Sequence, residues 1–521
     1  MKPEDFILGP RVTRRAALRT LAATPILLMG APALAADPAG LSGYWVLLAP
    51  NGDGTYRKSY FYLQQSGQTL TGKVMFGNRD LPISNGSVQN GKVRFEVVIH
   101  YRTETRRINY TGQVNGEKID MKVAFQGRSP RTGTAQRTTR EATLPPKPLP
   151  LPELRDLPDN GLVRTPPMGW NSWNKFAGRV DDQIVRSVAD AMVASGMSKV
   201  GYEYINIDDT WQGGRDSKGR ITGNKKFPDM KALADYVHSK GLKIGIYSSP
   251  GPLTCAGYEA SFGHEEQDAK TYAEWGFDYL KYDWCSAGNI YKDTDMRPVY
   301  QKMGEALLNC GRPIVYSLCQ YGRDDVWGWG AKVSGNLWRT TGDINDHWER
   351  MDDIGFRQFA IQHYVRPGHW NDPDMLEIGN GGMNSDEYRT HMSLWCLLAA
   401  PLLAGNDLSS MTEDTKSILM NREVIAIDQD PAAQPAQLVT YVGKLMVAYR
   451  KLHDGSTAVA FFNRTEKEDE IGVEWSAVGI EGKTLQARDL WKHDTTEVSG
   501  HHYSTKVPAH GVVMLKVTEK M

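Results

Sequence analysis

Asp283, in the run Tyr-Leu-Lys-Tyr-Asp-Trp-Cys, and Asp343, in Leu-Trp-Arg-Thr-Thr-Gly-Asp-Ile, each follow a short apolar or aromatic stretch that reads as a buried strand. Each has a cation close in sequence, Lys281 for the first and Arg339 for the second. Two carboxyl groups at the ends of separate strands, one ionised and one protonated, are what cleavage of a glycosidic bond requires. Lys281 and Asp283 are two apart, so they point to the same side of a strand. An ammonium there favours the ionised carboxylate and lowers its pKa, which suits a nucleophile. Asp343 lies beyond its strand in a Thr-Thr-Gly turn; a proton donor at that position needs a raised pKa, through burial or a like-charged neighbour. Either aspartate alone reads more readily as a salt-bridge partner, and it is the company of other polar strand ends that reverses this in favour of chemistry.

That company is extensive. Asn171 and Trp173, Asp208 and Asp209, Tyr247, Cys319 and Gln320, and Asp372 and Asp374 all fall at or just past expected strands. So many polar groups are tolerated there only if they face one another or a polar ligand. Asp208 and Asp209 could join Asp372 and Asp374 around a metal, but no His-x-His accompanies them, and carboxylates equally accept hydrogen bonds from sugar hydroxyls. Trp173 supplies either a flat apolar wall or ordinary core. No metal or cofactor is expected.

The elements that must hold these residues divide the chain into five. Residues 1–36 read as an export signal: Arg14 and Arg15 precede an apolar run from Leu21 to Leu34, and Ala33-Leu34-Ala35 is a small-residue cleavage site. The arginine pair fits either a twin-arginine signal or an ordinary secretory one. Residues 37–142 alternate with period two, as in Val93–Val97 and Ile119–Val123, and are punctuated by Asn-Gly at 51, 85, 90 and 115. This predicts an all-β accessory domain, a sandwich or small barrel joined by tight hairpins. Its Arg106, Arg107, Arg128, Arg131, Arg137 and Arg140 form either an acidic-glycan site or a solvated face. Residues 143–160 are a linker, with prolines at 145, 146, 148, 150, 152 and 158 that keep the chain extended.

From 161 to 430 apolar strand-like runs alternate with amphipathic helices. Expected strands are Met168–Trp173, Tyr204–Asp208, Lys243–Ser248, Tyr279–Asp283, Ile314–Cys319, Leu337–Thr341, His369–Asp372 and Ser393–Leu397. Eight such units fit a parallel (β/α)8 TIM barrel, whose active site lies at the C-terminal strand ends. Residues 431–521 return to strands around the Asp454-Gly455 turn and predict an antiparallel β-sandwich. The fold class is thus multidomain, a catalytic barrel flanked by two all-β domains.

Composition bounds the partners. The formal net charge is zero, which argues against a nucleic acid or an anionic membrane. After the leader no apolar run reaches the ~18 residues of a membrane span. Five cysteines in an exported, periplasmic or extracellular protein permit disulfides but leave at least one thiol. Nothing in the sequence sets an oligomeric state.

The runs Thr165-Pro-Pro-Met-Gly-Trp-Asn-Ser-Trp, Ile207-Asp-Asp-Thr-Trp, Lys243-Ile-Gly-Ile-Tyr-Ser, Lys281-Tyr-Asp-Trp-Cys, Arg339-Thr-Thr-Gly-Asp and Trp370-Asn-Asp-Pro-Asp-Met resemble the α-galactosidases of glycoside hydrolase family 27, from about Leu162 to the C-terminus. The resemblance implies a retaining exo-glycosidase acting on an α-galactoside oligosaccharide or polysaccharide, with Asp283 as nucleophile and Asp343 as acid/base. It implies sugar contacts at Trp173, Asp208, Asp209, Tyr247, Cys255, Lys281, Gln320, Arg339 and Asp374, and a Cys255–Cys285 disulfide. Gln320-Tyr321 departs from the Glu-Trp common in the family at a position facing the sugar's 2-substituent. The same scaffold serves β-L-arabinopyranosides, α-N-acetylgalactosaminides and isomalto-dextran. The rival of another class is a carbohydrate-binding protein without turnover.

Overall fold

The computed structural model describes residues 40–76, 79–100, 105–127, 129–481 and 484–519. The expected export signal and Arg128 lie outside the described residues. Eight antiparallel strands, from Gly43–Pro50 to Arg131–Thr138, follow one another around a closed barrel, the last pairing back onto the first. Their inward positions are apolar, with Trp45, Phe61, Phe95 and Met121 buried, and the outward ones polar, as a period-two pattern demands. Asn90-Gly91 is the two-residue hairpin expected of it, both residues at positive φ. Asn85-Gly86 is not a turn. It sits inside the strand Arg79–Gln89, where the register shifts between Ser84 and Ser87. A side chain at Gly86 would collide with the Leu70 carbonyl, so the pair marks a bulge and a close strand approach. Of the arginines proposed for an acidic glycan, Arg107 pairs with Glu96 and Arg137 with Glu117, so those two answer carboxylates of their own barrel.

The proline-rich stretch then runs without regular structure along the next layer. It is pinned there: Leu149 N–H donates to the Tyr291 hydroxyl, Arg155 N–H to the Gln301 side chain and Leu157 N–H to the Lys332 carbonyl. Beyond it lies a TIM-like sheet of eight parallel strands. In spatial order these are Trp370–Asp372, Leu337–Arg339, Val315–Cys319, Tyr279–Asp283, Lys243–Ser248, Tyr204–Asn206, Met168–Asn171 and Leu402–Ala404. The two outer strands approach through a parallel bridge between Leu376 and Ala404. Helices such as Met230–Ser239, capped by Asp229, cover the sheet, so its strands are buried on both faces and read as unbroken apolar runs.

Ser393–Leu397 is the exception to the strand assignments. It is the last part of a helix, Ser385–Leu397, and the eighth strand is Leu402–Ala404. Every residue from Tyr388 to Leu397 except Arg389 is buried, so the helix carries no polar stripe, and a short apolar run gives no period to tell helix from strand. The decisive signal lies upstream. The Asn384 side chain accepts the Asp386 and Glu387 N–H groups, and Glu387 reaches back to the Asn384 N–H, a complete capping box.

The chain ends in a six-stranded antiparallel sheet packed with the two-stranded pair Asp469–Glu474 and His502–Val507. Val459, Phe461, Trp475 and Leu515 fill the space between them. Arg464 of this sandwich makes a two-pronged ion pair with Asp352 on the helix Trp348–Arg357, at 2.5 and 2.7 Å. Replacing the helix cap by Asn384→Ala should cost about 1 kcal/mol and lower the melting temperature. An unchanged melting temperature would show that packing alone sets this helix.

Candidate active site

Ten of the residues singled out in the sequence line one cavity of ≈ 710 Å³ at the C-terminal ends of the parallel strands: Trp173, Asp208, Asp209, Tyr247, Cys255, Lys281, Asp283, Arg339, Asp343 and Asp374. A larger hollow of ≈ 970 Å³ lies against the N-terminal barrel, but Asp120 is the single carboxylate on its wall. The smaller cavity is the one where carboxylates converge.

Asp283 ends its strand and is 5% exposed. Tyr321 donates its hydroxyl to Oδ1 at 2.7 Å and Tyr247 donates to Oδ2 at 3.1 Å. The sequence pairs Lys281 with Asp283 and expects a lowered pKa; the structure corrects both points. Lys281 Nζ makes its ion pair with Asp208 Oδ2 at 2.7 Å. Asp283 stands above the ordinary carboxylate range. Burial is the largest cause, with the charges of Asp208 and Asp343 adding to it, and the Lys281 charge and the Tyr321 hydrogen bond only partly offset it.

Asp343 is corrected in the opposite direction. Its side chain is 74% exposed to the cleft, and Arg339 Nη2 donates to Oδ1 at 3.0 Å. The enclosing walls push its pKa up, but Arg339 and Lys281 outweigh them and it lies below the ordinary value. Asp374 shares the Arg339 guanidinium at 2.7 Å. Its Oδ2 also accepts the Ile344 N–H at 2.9 Å and its Oδ1 the Met375 N–H at 2.8 Å. Asp374 thus fixes the turn that presents Asp343, and it does so from a left-handed φ of 95°, a strain that surrounding bonds must hold.

Asp208 is tied to Lys281 and, through Oδ2, to the Asn171 side chain at 3.0 Å. Asp209 Oδ1 accepts the Thr210 N–H and Oδ2 the Ala256 N–H, both at 2.7 Å, yet burial pushes its pKa up to about 7. Trp173 starts a short helix rather than ending the first strand, and its ring side remains open to the cleft. Cys255 and Cys285 are joined as the resemblance implies, while Cys310, Cys319 and Cys396 are free thiols. Among the described residues, the one group close enough to hold an ion is Cys255, Asp283 and Cys285. With its two sulfurs in a disulfide it offers no thiolate, so its donor set does not suit a metal.

Gln320 is the one expected sugar contact that the structure does not bring to the cavity wall, and Asn171, Cys319 and Asp372 also lie off it. The glutamine is wholly buried, and its neighbour Tyr321 occupies that place. A positive φ at Tyr321 and at Gly322 turns the chain so that the tyrosine, not the glutamine, faces inward. Sequence reasoning also missed Glu377, Asp346 and Met375 on the opposite wall. Glu377 is buried, bonded to Asn174 and Asn380, and raised to about 7 by that burial. Its clue was the Asp-Met-Leu-Glu continuation after Asp374, in which the glutamate follows an otherwise apolar pair.

Residues 165–430 match the family model described as Alpha galactosidase A, and residues 442–517 match that described as Alpha galactosidase C-terminal beta sandwich domain. The chain is 46% identical over 371 residues to an alpha-galactosidase of Cyamopsis tetragonoloba, a match spanning 70% of this chain and 89% of that one. Among solved structures, alpha-galactosidase I from Mortierella vinacea aligns with a TM-score of 0.67 at 38% identity, over 70% of this chain and 99% of that one. The alpha-galactosidase from Saccharomyces cerevisiae with raffinose gives 0.65 at 28% identity, over 70% of this chain and 100% of that one.

Tyr321→Phe removes a bond that favours the ionised form of Asp283. The Asp283 pKa should therefore rise, and the acid limb of kcat/KM, which requires Asp283 ionised, should move to higher pH. A limb that stays put or moves to lower pH would disconnect Tyr321 from that ionisation.

Proposed function

The chain belongs to the alpha galactosidase A family of glycoside hydrolases and hydrolyses terminal α-galactosyl residues; from that premise we propose that it does so by double displacement, with Asp283 as nucleophile and Asp343 as acid/base. The observation that supports this most directly is that both carboxyls line one sugar-sized cavity in opposite settings. Asp283 is buried and held by two tyrosine hydroxyls, and Asp343 is open to solvent on a guanidinium.

In the first step an Asp283 oxygen attacks the anomeric carbon while Asp343 gives its proton to the departing oxygen. The bond from that carbon to the aglycone breaks as the glycosyl ester forms. In the free protein Arg339 keeps Asp343 largely ionised. A bound sugar excludes water, strengthens the field of the Asp283 charge and so favours a proton on Asp343. Once Asp283 is esterified that charge is gone, and Asp343 returns to the carboxylate needed to take a proton from the attacking water. Asp208 and Asp209 accept sugar hydroxyls, Lys281, Tyr247 and Arg339 donate, and Trp173 faces the apolar side of the ring. Asp374 holds the acid/base turn.

The strand order, with Leu376 reaching Ala404, supports a barrel closed on itself. The element boundaries are consistent with working divisions at 37–142, 143–160, 161–430 and 431–521. The Cys255–Cys285 disulfide suits an exported protein, as the leader's twin arginines do, since such bonds persist in oxidising compartments. The substrate is an oligosaccharide or polysaccharide ending in galactose, and raffinose is the first to test.

Asp283→Asn and Asp343→Asn should each lower kcat on an aryl α-galactoside whose aglycone needs protonation by roughly 10⁴-fold, with circular dichroism unchanged. Near-normal turnover in Asp283→Asn would sink the nucleophile assignment. Proton NMR of early product should show α-galactose; β-galactose appearing first would rule out double displacement. In a panel of aryl glycosides, faster turnover of β-L-arabinopyranoside or α-N-acetylgalactosaminide would displace galactose as the preferred sugar.

A further inference from the structure

The turn Asn51–Thr55 of the N-terminal barrel carries an aspartate that is 4% exposed, although Asn51, Gly52 and Gly54 around it are open to solvent. Asp53 is buried because the central α/β region covers it. Its two oxygens divide their work. Oδ1 shapes its own turn, accepting the Thr55 N–H at 2.9 Å and the Thr55 hydroxyl at 2.6 Å. Oδ2 faces outward and accepts the Tyr258 hydroxyl at 2.7 Å and the Asn224 amide at 3.4 Å. The Asp53 carbonyl accepts the Lys225 N–H at 3.0 Å. A carboxylate is buried at a cost unless its oxygens are satisfied, and these are.

The two segments it joins are the ones that hold the Asp208–Thr210 run at the cavity wall. Asn224 donates through its amide to the Thr210 carbonyl at 2.8 Å, and Lys226 donates to the Thr210 hydroxyl at 3.0 Å. Tyr258 closes a small loop on Thr254: its N–H donates to the Thr254 hydroxyl at 3.0 Å, and Thr254 N–H donates to its carbonyl at 2.9 Å. Inside that loop are Cys255, on the cavity wall, and Ala256, whose N–H holds Asp209 Oδ2 at 2.7 Å. One buried carboxylate thus clamps both sides of the segment that carries Asp209.

We propose that Asp53 is a positioning residue for substrate binding, supplied to the cavity by the N-terminal barrel, which fixes Asp209 through the Tyr258 loop and the Asn224–Lys226 segment. The inference rests on Asp209 accepting a galactose hydroxyl. Asp209 has no rotational play while Ala256 and Thr210 hold it. If the loop carrying Ala256 is released, Asp209 must be ordered by the sugar itself, which weakens binding in the ground state and the transition state alike and raises KM with kcat little changed.

The test compares the full chain with Asp53→Ala, Tyr258→Phe and the double variant on an aryl α-galactoside, with galactose inhibition as a second measure of binding. Asp53→Ala should raise KM and the galactose inhibition constant by about tenfold, the scale of a lost hydrogen bond to a charge, with kcat within about twofold. Tyr258→Phe, which leaves the N-terminal barrel untouched, should do the same, and the double variant should be no worse than the weaker single one because the two act through one bond. A folded Asp53→Ala protein with normal KM, or losses that multiply in the double variant, would overturn the clamp. If Asp53→Ala does not fold, Tyr258→Phe alone decides: a raised KM supports the clamp and a normal one overturns it. Asp209→Asn run alongside separates this inference from the site assignment. A normal KM there removes the sugar-binding role of Asp209 and the clamp with it. A raised KM there beside a normal KM in Asp53→Ala removes the clamp alone.

Discussion

The Lys281 ammonium, paired with Asp208 and near enough to Asp283 to act on its charge, is the interaction on which the rest of the cavity depends. Burial works against its charge, but Asp208, with Cys319 and Asp283 behind it, outweighs that and holds its pKa well above the ordinary value. In return its charge favours the ionised form of Asp283 and partly offsets the burial that raises that group's pKa. Taking one partner from such a cluster leaves an uncompensated buried charge, which is far costlier than the net value of the pair suggests. The strands explain why the cluster can exist. Tyr247, Lys281 and Ser317 lie in register on three adjacent parallel strands, so the polar residues form a row on one face of the sheet, from which Tyr247 and Lys281 reach the cavity, while alternate side chains point to the other face.

Arg339 plays the matching part on the other wall. It is shared between Asp343, exposed, and Asp374, buried. Its pairing with Asp374 sets where the turn sits, and its pairing with Asp343 sets how readily that carboxyl holds a proton. The two catalytic candidates therefore differ in the free protein in the reverse sense to their first-step roles. Asp343 owes its low pKa to the charges of Arg339 and Lys281, and Asp283 owes its high one mainly to burial.

Support for the cavity comes from all three parts of the chain. The C-terminal sandwich braces the helix after the Asp343 turn through Arg464 and through His510, stacked on Trp348 at 4.2 Å between ring centres. The N-terminal barrel reaches the opposite wall through the Asn51–Thr55 turn. A cavity built on loops at strand ends needs such bracing, since loops are otherwise the most mobile part of a fold.

Sequence alone determined the alternation of elements, the two β-rich flanks and nine residues of the cavity wall, because these are written in local period and in residue types that a strand end does not tolerate without a ligand; Cys255 came from the resemblance. Sequence determined the family resemblance as well, since six ordered motifs survive in linear form. Tertiary structure decided what depends on neighbours distant in the chain. Ser393–Leu397 is a helix because buried surroundings erase the polar stripe that marks one, and only the cap at Asn384 betrays it. Tyr321 rather than Gln320 faces the cavity because positive φ at Tyr321 and Gly322 turns the chain. The directions of the two pKa shifts followed from burial and from charges distant in the chain, Asp208 and Asp343 acting on Asp283 and Lys281 acting on Asp343. Asp53 joined the site only when another part of the chain covered a turn that reads, residue by residue, as open to water. Electrostatics and burial are sums over space, and a linear sequence fixes their terms without fixing their distances.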